Sequence, residues 1–294
     1  MSSNPSTIDT ESFYTTYHGH PPAALKILAE NPPKPVIWLV GDSTLDNKYW
    51  IPFTYQLHPD RHHSRFLTYS PIKRDVSYWL NSLYPRYVTI NCAVEATTVA
   101  QRRKALLPHD RIVRDHIAAN DVLVVSIGGN DVALSPSLRT IFSVLAQTYT
   151  SSRFGLKHLV SIFGDAAQQY VTRLVEKQHP SLVIICGLYF PDRNPGPSWA
   201  SLLLRLLQYN SNPEKLQRVI VRVFEAAASR VAIPGVRVVT LPFYSVLDGI
   251  NTNHYVQRIE PSEEGGKAMA KLMSDTIEKA LEQHNSSATL GDRR

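Results

Sequence analysis

Five short apolar runs, separated by segments of helical length, limit what this chain can fold into. They cover residues 36–40, 87–91, 122–127, 182–187 and 236–241. Each is continuous and rich in β-branched residues, as in Val36-Ile37-Trp38-Leu39-Val40 and Leu182-Val183-Ile184-Ile185. A strand that alternates apolar and polar residues has one wet face, whereas a continuous apolar strand is covered on both. The spacers, such as 155–178, 198–230 and 263–282, are long enough for crossover helices that return the chain to the same sheet edge. The expected fold class is α/β, a three-layer α/β/α sandwich with a mostly parallel five-stranded sheet. Open sheets of this kind bind ligands beyond the C-terminal ends of their strands. The residues just after each run are therefore the place to look for chemistry.

The flanks divide the chain into an N-terminal arm (1–34), one domain (35–283) and a polar tail (284–294) expected to be disordered. Residues 1–20 are rich in Ser, Thr and His and read as a mobile or surface-draped segment. Asn31-Pro32-Pro33-Lys34-Pro35 breaks any helix before the first strand. Helical insertions are expected near 133–165 and 190–212. The first carries Phe142, Leu145, Tyr149, Phe154, Leu156 and Phe163. In the second, Trp199, Leu202, Leu203, Leu206 and Leu207 form an apolar stripe that either packs on the core or walls the site as a lid or acyl-binding surface.

Composition narrows the function classes. Hydrophobic residues make up 43% and charged residues 19%, ordinary for a globular domain. The net charge of +6 comes without a long Lys/Arg cluster or a nucleic-acid motif, so it reads as a solvated surface that draws anionic ligands weakly. Cys92 and Cys186 sit at strand ends and read as free buried thiols, with no CxxC or clustered Cys/His pattern to hold a metal. Met1–His20 has no apolar signal core, and no apolar run reaches the length of about 18 residues that a membrane helix needs. The expectation is a cytoplasmic protein with no membrane span, no nucleic-acid partner and no cofactor or metal.

Three turns carry the chemistry. The first strand ends at Gly41-Asp42-Ser43, the second runs into Asn91 to Thr98, and the third into Gly128-Gly129-Asn130-Asp131. Acyl transfer needs a hydroxyl nucleophile and fixed donors aimed at the oxyanion that forms, each typically worth about 10²–10³ in rate. Ser43 supplies the hydroxyl. Its own N–H, a backbone N–H from the 93–96 turn and the Asn130 amide supply donors, with Gly128 and Gly129 allowing close backbone approach. Asp42, Asp46 and Asn47 read as hydrogen-bonding supports of the nucleophile turn, and Asp131 as an anchor or helix cap.

In these blocks the chain resembles the SGNH/GDSL hydrolase family. Gly41-Asp42-Ser43 matches the nucleophile block, and Gly128-Gly129-Asn130-Asp131 the block that ends in the side-chain oxyanion donor. Asn91–Thr98 resembles the second block, with Ala96 where the family usually has Gly. The resemblance spans roughly residues 35–282 in block order. It implies a flavodoxin-like α/β/α fold and a serine esterase, lipase or acyl-transferring hydrolase. Ser43 would be the nucleophile, and Ser43, Ala96, Gly129 and Asn130 would form the oxyanion pocket.

The last block departs from the family's Asp-x-x-His. Aligned on Pro261-Ser262, the histidine position holds Glu260 and the aspartate position Gln257. Two readings follow. In one, His254 is the base, with Asn251 at the family's spacing and Asp248 the better orienting carboxylate, because Asp also stabilises an imidazolium. In the other, Glu260 is the base, which requires burial to raise its pKa. His58, His62 and His63 read as part of a solvated polar loop that follows the first strand and could border the pocket, with a metal-binding cluster as the alternative.

The expected substrate is a small, partly apolar ester or acyl compound, with Trp199 and Asp42 as binding residues. A fold that keeps the pocket for acyl transfer, another metabolite transformation or silent binding is the alternative.

Overall fold

Each of the five apolar runs forms a strand of one parallel sheet. In the computed structural model these are β1 (Val36–Gly41), β2 (Val88–Asn91), β3 (Val122–Ser126), β4 (Leu182–Gly187) and β5 (Val238–Pro242). Residues 7–68, 71–133, 153–228 and 230–291 are described. Phe142, Leu145 and Tyr149 of the expected first insertion lie outside them.

The strand order is β2-β1-β3-β4-β5 and every pairing is parallel. This is the flavodoxin-like order, in which the chain leaves β1 to one side and returns as β3 on the other. The loops after β1 and β3 consequently diverge and leave a crevice at the sheet's C-terminal edge.

Period-two alternation sends the strand residues to two cores. Trp38, Val40, Ile90, Leu123, Val125 and Ile185 pack beneath helices Pro22–Ala29, Pro108–His116 and Ala166–Leu174. Ile37, Leu39, Val122, Val124 and Ile184 pack against helix Val76–Leu83 and the final helix, Glu263–Gly291. Burying one such side chain contributes about 1.5–3 kcal/mol, so both layers hold the sheet. Among the described residues no helix is long and apolar enough to cross a membrane.

Two expectations change. The arm is not loosely draped: it holds helices Thr10–Thr15 and Pro22–Ala29, and Phe13, Tyr14, Leu25 and Leu28 are buried in the first core. Asp9 caps the first of these by accepting the Ser12 N–H, and Pro22 occupies the first turn of the second, where no N–H is needed. The final helix also runs into the stretch expected to be a disordered tail.

Candidate active site

Ser43 stands one turn beyond β1. Gly41 has φ +130°, and a Cβ there would come within 1.7 Å of the Ser126 carbonyl oxygen, so only glycine lets β1 and β3 stay paired to that point. Asp42 N–H then donates to Ser126 O at 3.0 Å, and the Leu45 and Asp46 amides donate back to Asp42 O. The Asp42 side chain accepts from Thr44 N–H. These bonds turn the chain sharply and bring Ser43, 8% exposed, to the wall of a solvent-open cavity of about 800 Å³.

Gly129 and Asn130 border the same cavity from the β3 side, and Trp199 from the second insertion. Gly128 has φ +102°, and a Cβ on it would strike the Phe163 ring at 2.5 Å. Asn130 Nδ2 donates to Thr97 O at 3.0 Å, which binds the third turn to the second. Ala96 in that second turn has φ +58°. The backbone N–H groups of Ser43 and Ala96 make no hydrogen bond among the described residues. Asp131 anchors the helix that begins at Val99, accepting from Val99 and Ala100 N–H.

Glu260 reaches the site from a short antiparallel pair, Val256 opposite Glu260, just ahead of the final helix. It is 1% exposed. Trp199 Nε1 donates to its Oε1 at 3.1 Å. The Ser43 hydroxyl is near enough to influence the carboxylate, yet Glu260 Oε2 closes no regular hydrogen bond. Burial raises the Glu260 carboxyl to about 7. The Trp199 and Ser43 donors pull it down, and the Asp42 and Asp46 charges push it up. The turn that delivers it carries Gln257 and Arg258 at φ +47° and +67°. Asp192 holds that turn by backbone bonding to Arg258 O and by accepting, through its carbonyl, the Arg258 guanidinium.

His254 and Asp248 do not line the cavity, and neither do Glu260 and Ala96; Glu260 differs from His254 in its hydrogen bond from Trp199 and its closeness to Ser43. His254 sits in a 3₁₀ turn, Thr252–His254, and its carbonyl accepts Ser262 N–H at the start of the final helix. Its Nδ1 is buried without a partner. Asp248 accepts from Ile250 N–H, and Asn251 from Asn253 N–H, each within its own turn.

Sequence reasoning passed over two groups. Arg102, fully buried, donates to Gly41 O at 2.6 Å and to Thr97 Oγ1 at 3.0 Å, and pairs with Asp110 and Tyr170. It clamps the first two turns together. Glu95, 2% exposed, lies beside Tyr17, whose hydroxyl donates to its Oε1 at 3.4 Å. Burial pushes the Glu95 carboxyl to about 9, and the nearby Glu260 and Asp46 charges add to this. Asp46, buried as well, accepts from Gly19 and Glu95 N–H and from Lys48 Nζ.

The apolar wall is Leu203, Leu204 and Leu207 with Leu216, Ile220 and Ile259. Leu202 and Leu206, expected in the same stripe, are exposed, because the helix Ser201–Leu206 turns Leu204 inward in their place.

The histidine loop is not solvated. His58, Asp60, His62 and His63 are buried, because Asp60 caps the helix Arg61–Phe66 and His62 Nε2 bonds Leu28 O. Ligand atoms of His58, Asp60 and His63 lie within 4.8 Å of one another, the spacing a metal would require. They already satisfy each other: Asp60 Oδ2 takes His63 N–H and Nδ1, and His58 Nδ1 takes Asp60 N–H.

No protein-family model and no curated protein matches the chain. Solved structures similar to it include an extracellular lipase from Streptomyces rimosus. That likeness has 11% identity and a TM-score of 0.46, over 82% of this chain and 99% of that one. A member of the lipolytic G-D-S-L family from Veillonella parvula gives 14% and 0.47, over 81% and 94%. A family 3 carbohydrate esterase from Talaromyces cellulolyticus gives 8% and 0.46, over 85% and 99%. At such low similarity the chain's own residues carry the functional reading.

Proposed function

We propose that the chain is a serine-dependent ester or acyl hydrolase in which Ser43 attacks and Glu260 moves the proton. The observation that carries this reading is the buried Glu260 carboxylate facing Ser43, held by the Trp199 indole and shifted to about 7. A carboxylate at its ordinary pKa is a weak acceptor for a serine proton, whereas one near the working pH is an effective general base, worth about 10²–10⁴ in rate.

Glu260 takes the hydroxyl proton as Ser43 Oγ bonds to the substrate carbonyl carbon. Negative charge gathers on the carbonyl oxygen, and the free N–H groups of Ser43 and Ala96 with the Asn130 amide stabilise it. The C–O bond to the alcohol breaks, and the departing oxygen takes the proton from Glu260. Water then attacks the acyl-serine with Glu260 again as acceptor, releasing the acid and restoring Ser43. The Trp199 N–H fixes the orientation of Glu260, the task an aspartate performs for a histidine base. Leu203, Leu204, Leu207 and Ile259 favour an apolar acyl group.

The same proposal takes the substrate to be a small molecule and the site of action to be a reducing, cytoplasmic compartment. The two unpaired thiols, Cys92 and Cys186, fit that placement.

The experiment is fluorophosphonate labelling and aryl-ester turnover in wild type and in Ser43→Ala, Glu260→Gln and His254→Ala. Labelling and turnover are expected to vanish in Ser43→Ala, turnover to fall about 10²–10⁴-fold in Glu260→Gln, and His254→Ala to stay near wild type. Loss confined to Ser43→Ala and His254→Ala would move the base back to His254. An unlabelled, inactive wild type would sink the hydrolase reading.

A further inference from the structure

The protein carries a net positive charge, yet three buried carboxyl groups gather about Ser43: Asp42 in the cavity wall, and Glu95 and Glu260 behind it. Among the described residues Asp42 Oδ2, Glu95 Oε2 and Glu260 Oε2 close no regular hydrogen bond, although Trp50 stands near enough to Glu95, and Ser43 to Glu260, to favour the ionised forms. The buried cations nearby are committed elsewhere: Lys48 to Asp46, and Arg102 to Asp110. Burying a carboxyl group with an oxygen left unpaired costs about 1–3 kcal/mol, and Glu95 and Glu260 offset it by holding protons that an arriving cation can displace.

Aromatic rings supply a second, independent pointer. Tyr17 and Tyr49 meet edge to face at 4.8 Å, and Tyr49 meets Trp50 at 5.2 Å. Tyr17 and Tyr49 are exposed large apolar residues, and Tyr17 touches Glu95 through its hydroxyl. The Trp50 indole stands beside Glu95 and favours its ionised form. An aromatic rim over a buried carboxylate is a surface that recognises organic ammonium groups, since ring faces and carboxylate attract the same charge.

We propose that the ester taken by Ser43 carries an organic ammonium group, seated at the Tyr17–Tyr49 rim with Glu95 as its counter-ion and Asp42 and Glu260 adding to the field. The inference rests on reading Ser43 as the nucleophile. The raised Glu95 and Glu260 carboxyls agree with it. Burial lifts both above their ordinary range and neighbouring carboxylates add to it; an arriving cation lowers them and releases protons.

The test compares a choline ester with its uncharged 3,3-dimethylbutyl isostere bearing the same acyl group, at pH 8. The expected kcat/KM ratio is at least about tenfold in favour of the cation, the factor that about 1.4 kcal/mol supplies. The ratio falls toward one in Glu95→Gln, which keeps the shape and removes the charge. A wild-type ratio of one or below overturns the proposal without recourse to any variant. Calorimetric titration of choline itself, in two buffers of different ionisation enthalpy, separates the two readings. If Ser43 neither labels nor turns over, the hydrolase assignment falls, while proton-releasing choline binding that Glu95→Gln abolishes still supports the cation site. No choline binding in that case overturns it.

Discussion

Asn47 Nδ2 donates to Pro261 O at 3.1 Å, joining the loop that carries Ser43 to the residue after Glu260 across 214 positions of sequence. Its other face accepts Val76 N–H through Oδ1. One buried amide therefore sets the distance between Ser43 and the carboxylate. Asn47→Ala strands both partners at about 1–3 kcal/mol each. The expected outcome is a lowered melting temperature and, among molecules still folded, a kcat reduced at least tenfold with little change in KM. A variant with wild-type kcat would show that the tie is only structural.

Activity should depend on pH through Glu260. The carboxylate must be ionised to accept the Ser43 proton, so kcat/KM rises with pH and levels off above about 7. A histidine base titrates in the same range, so the midpoint alone does not discriminate. Trp199→Phe does. It removes the donor that favours the ionised form, so the midpoint moves to higher pH. An unmoved midpoint would falsify Glu260 as the base.

Ala96 is held at φ +58°, where a Cβ crowds the following carbonyl by about 1–2 kcal/mol. Ala96→Gly removes that strain and gives back part of it as unfolded-chain entropy. The expected net gain is about 1 kcal/mol in denaturant unfolding, with the backbone N–H proposed as an oxyanion donor left in place and esterase activity retained.

Stability should also report on Glu95. Its folded-state carboxyl lies near 9, above the ordinary value of 4.5, so between those limits the folded protein holds a proton the unfolded chain has lost. Its contribution is complete below about 4.5 and disappears as pH rises through 9, at up to about 1.4 kcal/mol per pH unit. Wild type should melt at progressively lower temperature from pH 5 to 9, and Glu95→Gln should show a shallower decline. Equal slopes would mean that Glu95 ionises normally.

Four strands were legible because a buried parallel strand writes itself as an apolar run; the fifth run, 236–241, also folds in parallel register, but as a half-exposed edge strand that keeps Arg237 and Thr240 in its sequence. The turns after β1 and β3 were legible for a related reason: glycines are confined to places where a Cβ would collide, as at Gly41 against Ser126. The arm was misread because its polar composition hides the few residues that bury it, Phe13, Tyr14, Leu25 and Leu28. Arg102 looked like one member of a basic run, Arg102-Arg103-Lys104, and only the placement of Gly41 O, Asp110 and Tyr170 around it turns one arginine of that run inward.

The sequence by itself determined the layer architecture and which strand ends carry Ser43 and Asn130, because both follow from local patterns of apolar period and backbone freedom. It left open whether His254 or Glu260 meets the serine. That choice depends on contacts distant in sequence: Trp199 on Glu260, Asn47 on Pro261 and Asp192 on the turn at Arg258. Burial of a carboxylate among them, and the pKa that burial produces, exist only once the chain has closed.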